Sequence, residues 1–190
     1  VVSTSLSTCD SYGLIVQNRT DNASAIGVPP YYMIAYTPNG IPTTSLVGTD
    51  PNNLTWQVNQ PPGTNMLLTI ADANNDAGGF PPTVYTTIAG SSTACVPPKP
   101  AVNITVVQNV TGTLFTCKPW GLRVYGGTLP YTISLAALSS TLVTNVTLGP
   151  HDDVFTFIDR ADPNGMLMAA VSDATGQWGT STPLIPTAGN

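Results

Sequence analysis

Glutamate is absent from this chain of 190 residues, and lysine and arginine together number five. Exposed faces of helices are built mainly from Glu, Lys, Arg and Gln, so their scarcity argues against a helical fold. The remaining charge is ten aspartates, which leaves a net charge of −5 beside a single histidine. Clustered cations are what neutralise phosphates, so five scattered ones disfavour nucleic acid as a partner. One histidine excludes a multi-histidine zinc or copper centre. No apolar run approaches the roughly 18 residues needed to span a bilayer. A Gly-x-Ser-x-Gly elbow and a phosphate-cradling loop are missing as well, and with no Glu to serve as an acid, no Asp pair has the context of a glycosidase.

The composition is instead rich in Thr, Val, Gly and Pro, the residues of strands and turns. It is also duplicated. Gly165–Gly179 repeats Thr64–Gly78 with a displacement of 101 positions, setting Met66 on Leu167, Ile70 on Val171, Asp72 on Asp173 and Gly78 on Gly179. Val110–Cys117 echoes Val2–Cys9 at a displacement of 108. Each copy predicts six or seven short strands separated by turn clusters such as Thr37-Pro38-Asn39-Gly40 and Asp162-Pro163-Asn164-Gly165. The expected fold is all-β: two tandem immunoglobulin-like Greek-key sandwiches, residues 1–95 and 110–190. Between them, 96–109 reads as a Pro-rich linker, with three prolines in Val96–Pro100. The last strand of the second copy is expected at Thr182–Ile185.

Few residues offer chemistry. Cys9 and Cys95 stand at the two ends of the first copy, and a bridge between them would tie it shut. Cys117 has no matching partner in the chain and is left unpaired, bridged to Cys95 instead, or linked to another chain. Asp72-Ala-Asn74-Asn75-Asp76 resembles the opening of a calcium loop, but its glycine falls one place late, and a polar turn is the favoured reading. His151-Asp152-Asp153, near Asp159 and Asp162, is the one His and carboxylate cluster, and a solvated turn is favoured there too. Trp56 and Trp120 align with Phe157 and Tyr12 and are expected in the core. Trp178 aligns with Ala77 in a turn, where it could serve as a contact surface for a sugar or a partner.

Six sequons, at Asn18, Asn22, Asn53, Asn103, Asn109 and Asn145, point to N-linked glycans on a secreted protein. Val1 in place of Met is compatible with a leader removed during secretion. Tyr32, Ile34 and Tyr36 lie on the strand face opposite Tyr31, Met33 and Ala35, where the second copy has Thr132, Ser134 and Ala136. A two-sheet sandwich needs one inward face per strand, so this second apolar face implies a further contact, either with the other copy or with a partner.

The phrases Cys117-Lys-Pro-Trp-Gly-Leu-Arg-Val124, Gly126-Gly-Thr-Leu-Pro-Tyr131 and Ala170-Val-Ser-Asp-Ala-Thr-Gly176 resemble those of small secreted fungal glycoproteins built from tandem immunoglobulin-like units. Size, sequons and the lack of active-site residues are also similar to the non-catalytic small subunit of heterodimeric laccases. These resemblances imply an extracellular protein with no cofactor that acts through protein contacts, as an accessory subunit of a secreted oxidase would. The competing class is a cell-wall or glycan-binding module, which should display exposed aromatics in both copies.

Overall fold

The computed structural model describes residues 3–17, 27–101 and 103–189. Within them the chain is all-β, its sheets arranged as in a sandwich, with no helix. The first half forms β1 (Ser5–Ser7), β2 (Ser11–Leu14), β3 (Tyr31–Tyr36), β4 (Thr43–Gly48), β5 (Leu54–Gln57), β6 (Asn65–Ala71) and β7 (Tyr85–Ile88). The second forms β8 (Thr105–Gln108), β9 (Leu114–Phe115), β10 (Pro119–Tyr125), β11 (Thr132–Ala137), β12 (Thr144–Thr147), β13 (Val154–Ile158), β14 (Met166–Ser172) and β15 (Ile185–Ala188).

The repeat carries over to topology. A five-stranded sheet ordered β1-β7-β6-β3-β4 in the first half matches β9-β15-β14-β11-β12 in the second. Opposite each lies a smaller sheet, β2-β5 in the first half and β8-β10-β13 in the second. In both large sheets the first strand joins its neighbour in parallel: Leu6 pairs with Thr87, and Leu114 with Thr187. All other pairings between these strands are antiparallel, as hairpin and Greek-key connections require.

Alternation along the strands builds a separate core in each half. Tyr31, Met33 and Ala35 of β3 point with Met66 of β6 towards Leu54 and Trp56 of β5. Ile133 and Leu135 of β11 point with Leu167, Ala169 and Val171 of β14 towards Trp120 and Leu122 of β10. Trp56 and Trp120 are both fully enclosed, each as a core residue of its own half.

Two expectations need correction. Thr105–Gln108, placed in the linker, is a strand that pairs with β10, and Ile104 just before it is buried in the second core. At the displacement of 108 this segment aligns with positions ahead of Val1, so the repeat could not reveal it. The last strand is also displaced. Pro183 has no N–H to continue a ladder, and although Thr182 bonds to Ala169, regular pairing resumes only at Ile185.

Cys9 and Cys95 form a disulfide, with Cα atoms 5.6 Å apart, while Cys117 is free and exposed. Closing a loop of this length removes chain entropy from the unfolded state worth roughly 4–5 kcal/mol. Replacing Cys9 and Cys95 together with Ser should therefore lower unfolding free energy by about that amount in urea titrations. An unchanged urea midpoint would show that the bridge constrains nothing.

Candidate functional site

The faces that the two cores leave over meet each other. Ile34 and Tyr36 of β3, with Leu67 and Ala71 of β6, pack against Ala136 of β11 and Met168 and Ala170 of β14, and Phe80 joins them. Four layers of sheet are thus stacked, and the middle two are buried on both faces. The complementarity is of size: the first half contributes Tyr36 and Phe80, and the second contributes alanines and Ser134, which is itself buried. Tyr36 lies edge-on to Phe80, with ring centres 5.6 Å apart, and edge-on to Trp178 at 5.7 Å. Burial pushes the Tyr36 hydroxyl up to about 12, against the opposing effect of its hydrogen bond with Ser134. Ser134 Oγ in turn donates to Asn145 Oδ1 at 2.6 Å.

The rim of this seam is closed by reciprocal backbone bonds. Asn39 N–H donates to Thr182 O and Ser181 N–H to Gly40 O. In the matching places, Ser139 N–H donates to Pro81 O and Phe80 N–H to Ser140 O. Asn39 and Ser139 both adopt a left-handed backbone, at φ 57° and 62°, which tips each hairpin turn onto the opposite half. The seam is thus a pseudo-two-fold contact between two copies of one unit.

The sequence-derived candidates fall in different places. Ile34 and Tyr36 are buried in the seam, whereas Tyr32 is half-buried and outside its cluster. Trp178 is half-buried at the rim, where its Nε1–H donates to Thr44 Oγ1 at 3.0 Å, so its ring is engaged with the first half. Asn53, Asn103, Asn109 and Asn145 are exposed, while Asn18 and Asn22 lie outside the described residues. Asn109 and Asn145 each accept a hydrogen bond through Oδ1, which leaves the modification chemistry at the amide nitrogen unopposed by these bonds. Phe80, Leu67 and Met168 were missed. The signal for Met168 was available: Met166–Val171 is a continuous apolar run, the pattern of a strand covered on both faces.

The carboxylates serve the turns. Asp72 accepts N–H groups of Val28, Asn74 and Asp76 at 2.7, 2.8 and 2.9 Å. Asp173 accepts those of Thr128, Thr175 and Gln177, together with the Thr175 hydroxyl. Burial raises the pKa of both, but the donors outweigh it and hold both below the ordinary carboxyl value. Asp153 pairs with Arg123 at 3.1 Å, His151 and Asp152 are exposed, and Asp159 is fully buried in another turn, accepting from Ala161 N–H. Among the described residues, no three His, Cys or Asp side chains are grouped to hold a metal ion. No protein-family model and no curated protein matches the sequence.

Tyr36 and Trp178 should be energetically coupled across the seam. Single and double alanine variants in a double-mutant cycle should give an interaction of about 0.5–1.5 kcal/mol, and additive losses would show that the ring contact contributes nothing. The Asp72 and Asp173 carboxyls, with pKa values depressed in the folded state, stabilise it fully above the ordinary value of 3.8, and that contribution is lost as pH falls through the folded values. Wild-type urea midpoints should fall below pH 4, and the fall should be shallower in the Asp72→Asn, Asp173→Asn variant. Parallel pH profiles would exclude these two groups.

Proposed function

We propose that the chain is a non-catalytic extracellular glycoprotein of two tandem immunoglobulin-like units that acts through protein contacts, in the manner of an accessory or stabilising subunit of a secreted oxidase such as laccase. The observation that carries this reading is the use made of the polar groups best suited to chemistry. Asp72 and Asp173 hold equivalent turns through six backbone N–H donors, and Asp153 holds Arg123. Asp72 and Asp173, held by these donors below the ordinary carboxyl value, are poor proton carriers near neutral pH. The bridge between Cys9 and Cys95 and the exposure of four sequon asparagines support an oxidising, glycosylating route. The seam supports a rigid scaffold, because a large apolar inter-unit contact fixes the angle at which outer surfaces are presented. The edge-on contact of Trp178 with Tyr36 and its bond to Thr44 count against that ring as a sugar platform.

Chemical cross-linking of the native secreted protein, followed by size separation and mass spectrometry, should reveal a stoichiometric companion protein. A chain that migrates alone and is retained on cell-wall polysaccharide would favour the glycan-binding class instead.

A further inference from the structure

Between the Pro-rich connection and the rim of the seam lies a cleft of about 990 Å³. Three parts of the chain line it: Asn59 and Gln60 from the first half, Pro97 and Pro98 from the connection, and Asn103 and Trp178 from the second half. Sites for small organic ligands run from about 300 to 1,000 Å³, so the space is of ligand size. Lys99 is the one charged side chain among the described residues that line it, and none of them is a carboxylate.

The wall on the first half is a network of amides and hydroxyls with capacity to spare. Asn59 accepts the Thr43 hydroxyl at 2.9 Å and donates to Ser45 Oγ at 3.1 Å, which leaves it one amide hydrogen and one Oδ1 lone pair. Gln60, although 6% exposed, uses both amide hydrogens on Ile41 O and Thr43 Oγ1 and keeps Oε1 to accept another donor. Sugar hydroxyls and acetamido groups donate and accept in the same way, so a neutral glycan matches this wall. Across the cleft, Asn103 opens a sequon that Thr105 completes. Of the four described sequon asparagines it is the one that lines the cleft. Its backbone is pinned on both sides. Ile104 is buried in the second core, its carbonyl accepts the Thr180 N–H at 2.8 Å, and the Asn103 carbonyl lies against Gly126, where a β-carbon would collide with it.

We propose that an N-linked glycan on Asn103 turns into this cleft, with its first sugars hydrogen-bonded by Asn59 and Gln60, and so ties the connection to both halves. The inference rests on the secreted-glycoprotein reading and gives one of its glycans a structural role. Attachment is what selects this occupant over a free ligand. A sugar carried on the wall is held at an effective concentration of about millimolar, and the fixed backbone of Asn103 already meets part of the ordering cost.

The intact protein secreted from a glycosylating host, treated under native conditions with a peptide N-glycosidase and followed site by site by mass spectrometry, tests this. Asn103 should be occupied, and its glycan should be released at least about tenfold more slowly than those on Asn53 and Asn109. Denaturation should abolish the difference. Replacing residues 97–100 with Gly-Ser-Gly-Ser removes one wall while leaving the sequon and both cores, and should bring release at Asn103 up to the rate at Asn109. Thr105→Val deletes the sequon but keeps a β-branched residue in β8. It should lower the urea midpoint of the glycosylated protein and leave that of protein made without glycosylation unchanged. The proposal is overturned by native release at Asn103 as fast as at Asn109, by protection that survives the Gly-Ser replacement, or by an equal Thr105→Val shift in both preparations. Glycans on Asn53, Asn109 and Asn145 with none on Asn103 would leave the glycoprotein reading standing and remove this site. A secreted chain bare at every sequon would remove both.

Discussion

Both faces of the strand pairs β3–β6 and β11–β14 are buried, and the relation between the two halves follows from that constraint. A strand in an ordinary sandwich keeps one face in water, so its sequence alternates; here the outward face of each large sheet is the other half's inner wall. Apolar area is removed from water at about 25 cal/mol per Å². Tyr36, Leu67, Met168 and Ala170, all essentially enclosed, therefore join the halves more strongly than the Pro-rich connection could. The reciprocal bonds at the two rims then fix the angle, because each hairpin turn satisfies its backbone groups on the opposite half.

A contact between identical subunits about a two-fold axis must be self-complementary, so a bulky residue near the axis meets its own copy. Covalent joining lifts that requirement. The first half can carry Tyr36 and Phe80 where the second carries Ala136 and Ser181, and bulk on one side then fills what smallness leaves on the other. Trp178 reverses the exchange at the rim, opposite Ala77 in the repeat, and bonds across to Thr44. The sequence difference between Tyr32-x-Ile34-x-Tyr36 and Thr132-x-Ser134-x-Ala136 thus becomes intelligible as two sides of one joint, although Tyr32 itself takes no part in it.

Much of this was readable beforehand, because duplication lets one copy act as a control on the other. Strand positions, core alternation and the position of the bridge come from residues whose spacing is set locally, such as Tyr31-x-Met33-x-Ala35 and Gly13-x-x-Val16. The seam was legible as an apolar face that needed a contact, with the other copy or with a partner, since alternation says which way a side chain points and not what it meets. Met66–Ala71 and Met166–Val171 nevertheless carried a second signal, near-continuous apolar runs that only double-sided burial explains. The β8 strand was hidden for a different reason. Its pairing with β10 is non-local, its flanks are rich in Pro and Asn, and the displacement of 108 would put its counterpart ahead of Val1, outside the sequence.

The two halves also secure equivalent ends by different means. In the second, Ile104 and Val106 close the core as a covering strand, and fully burying side chains of that kind contributes about 1.5–3 kcal/mol each. In the first, where β2 lacks that cover among the described residues, Cys9 at the entry to β2 is bridged to Cys95, worth roughly 4–5 kcal/mol in chain entropy. Cys117, at the same place as Cys9 and with the same left-handed backbone, is free. The contributions are of similar size, so a covering strand in one half and a covalent link in the other secure their cores to a similar degree.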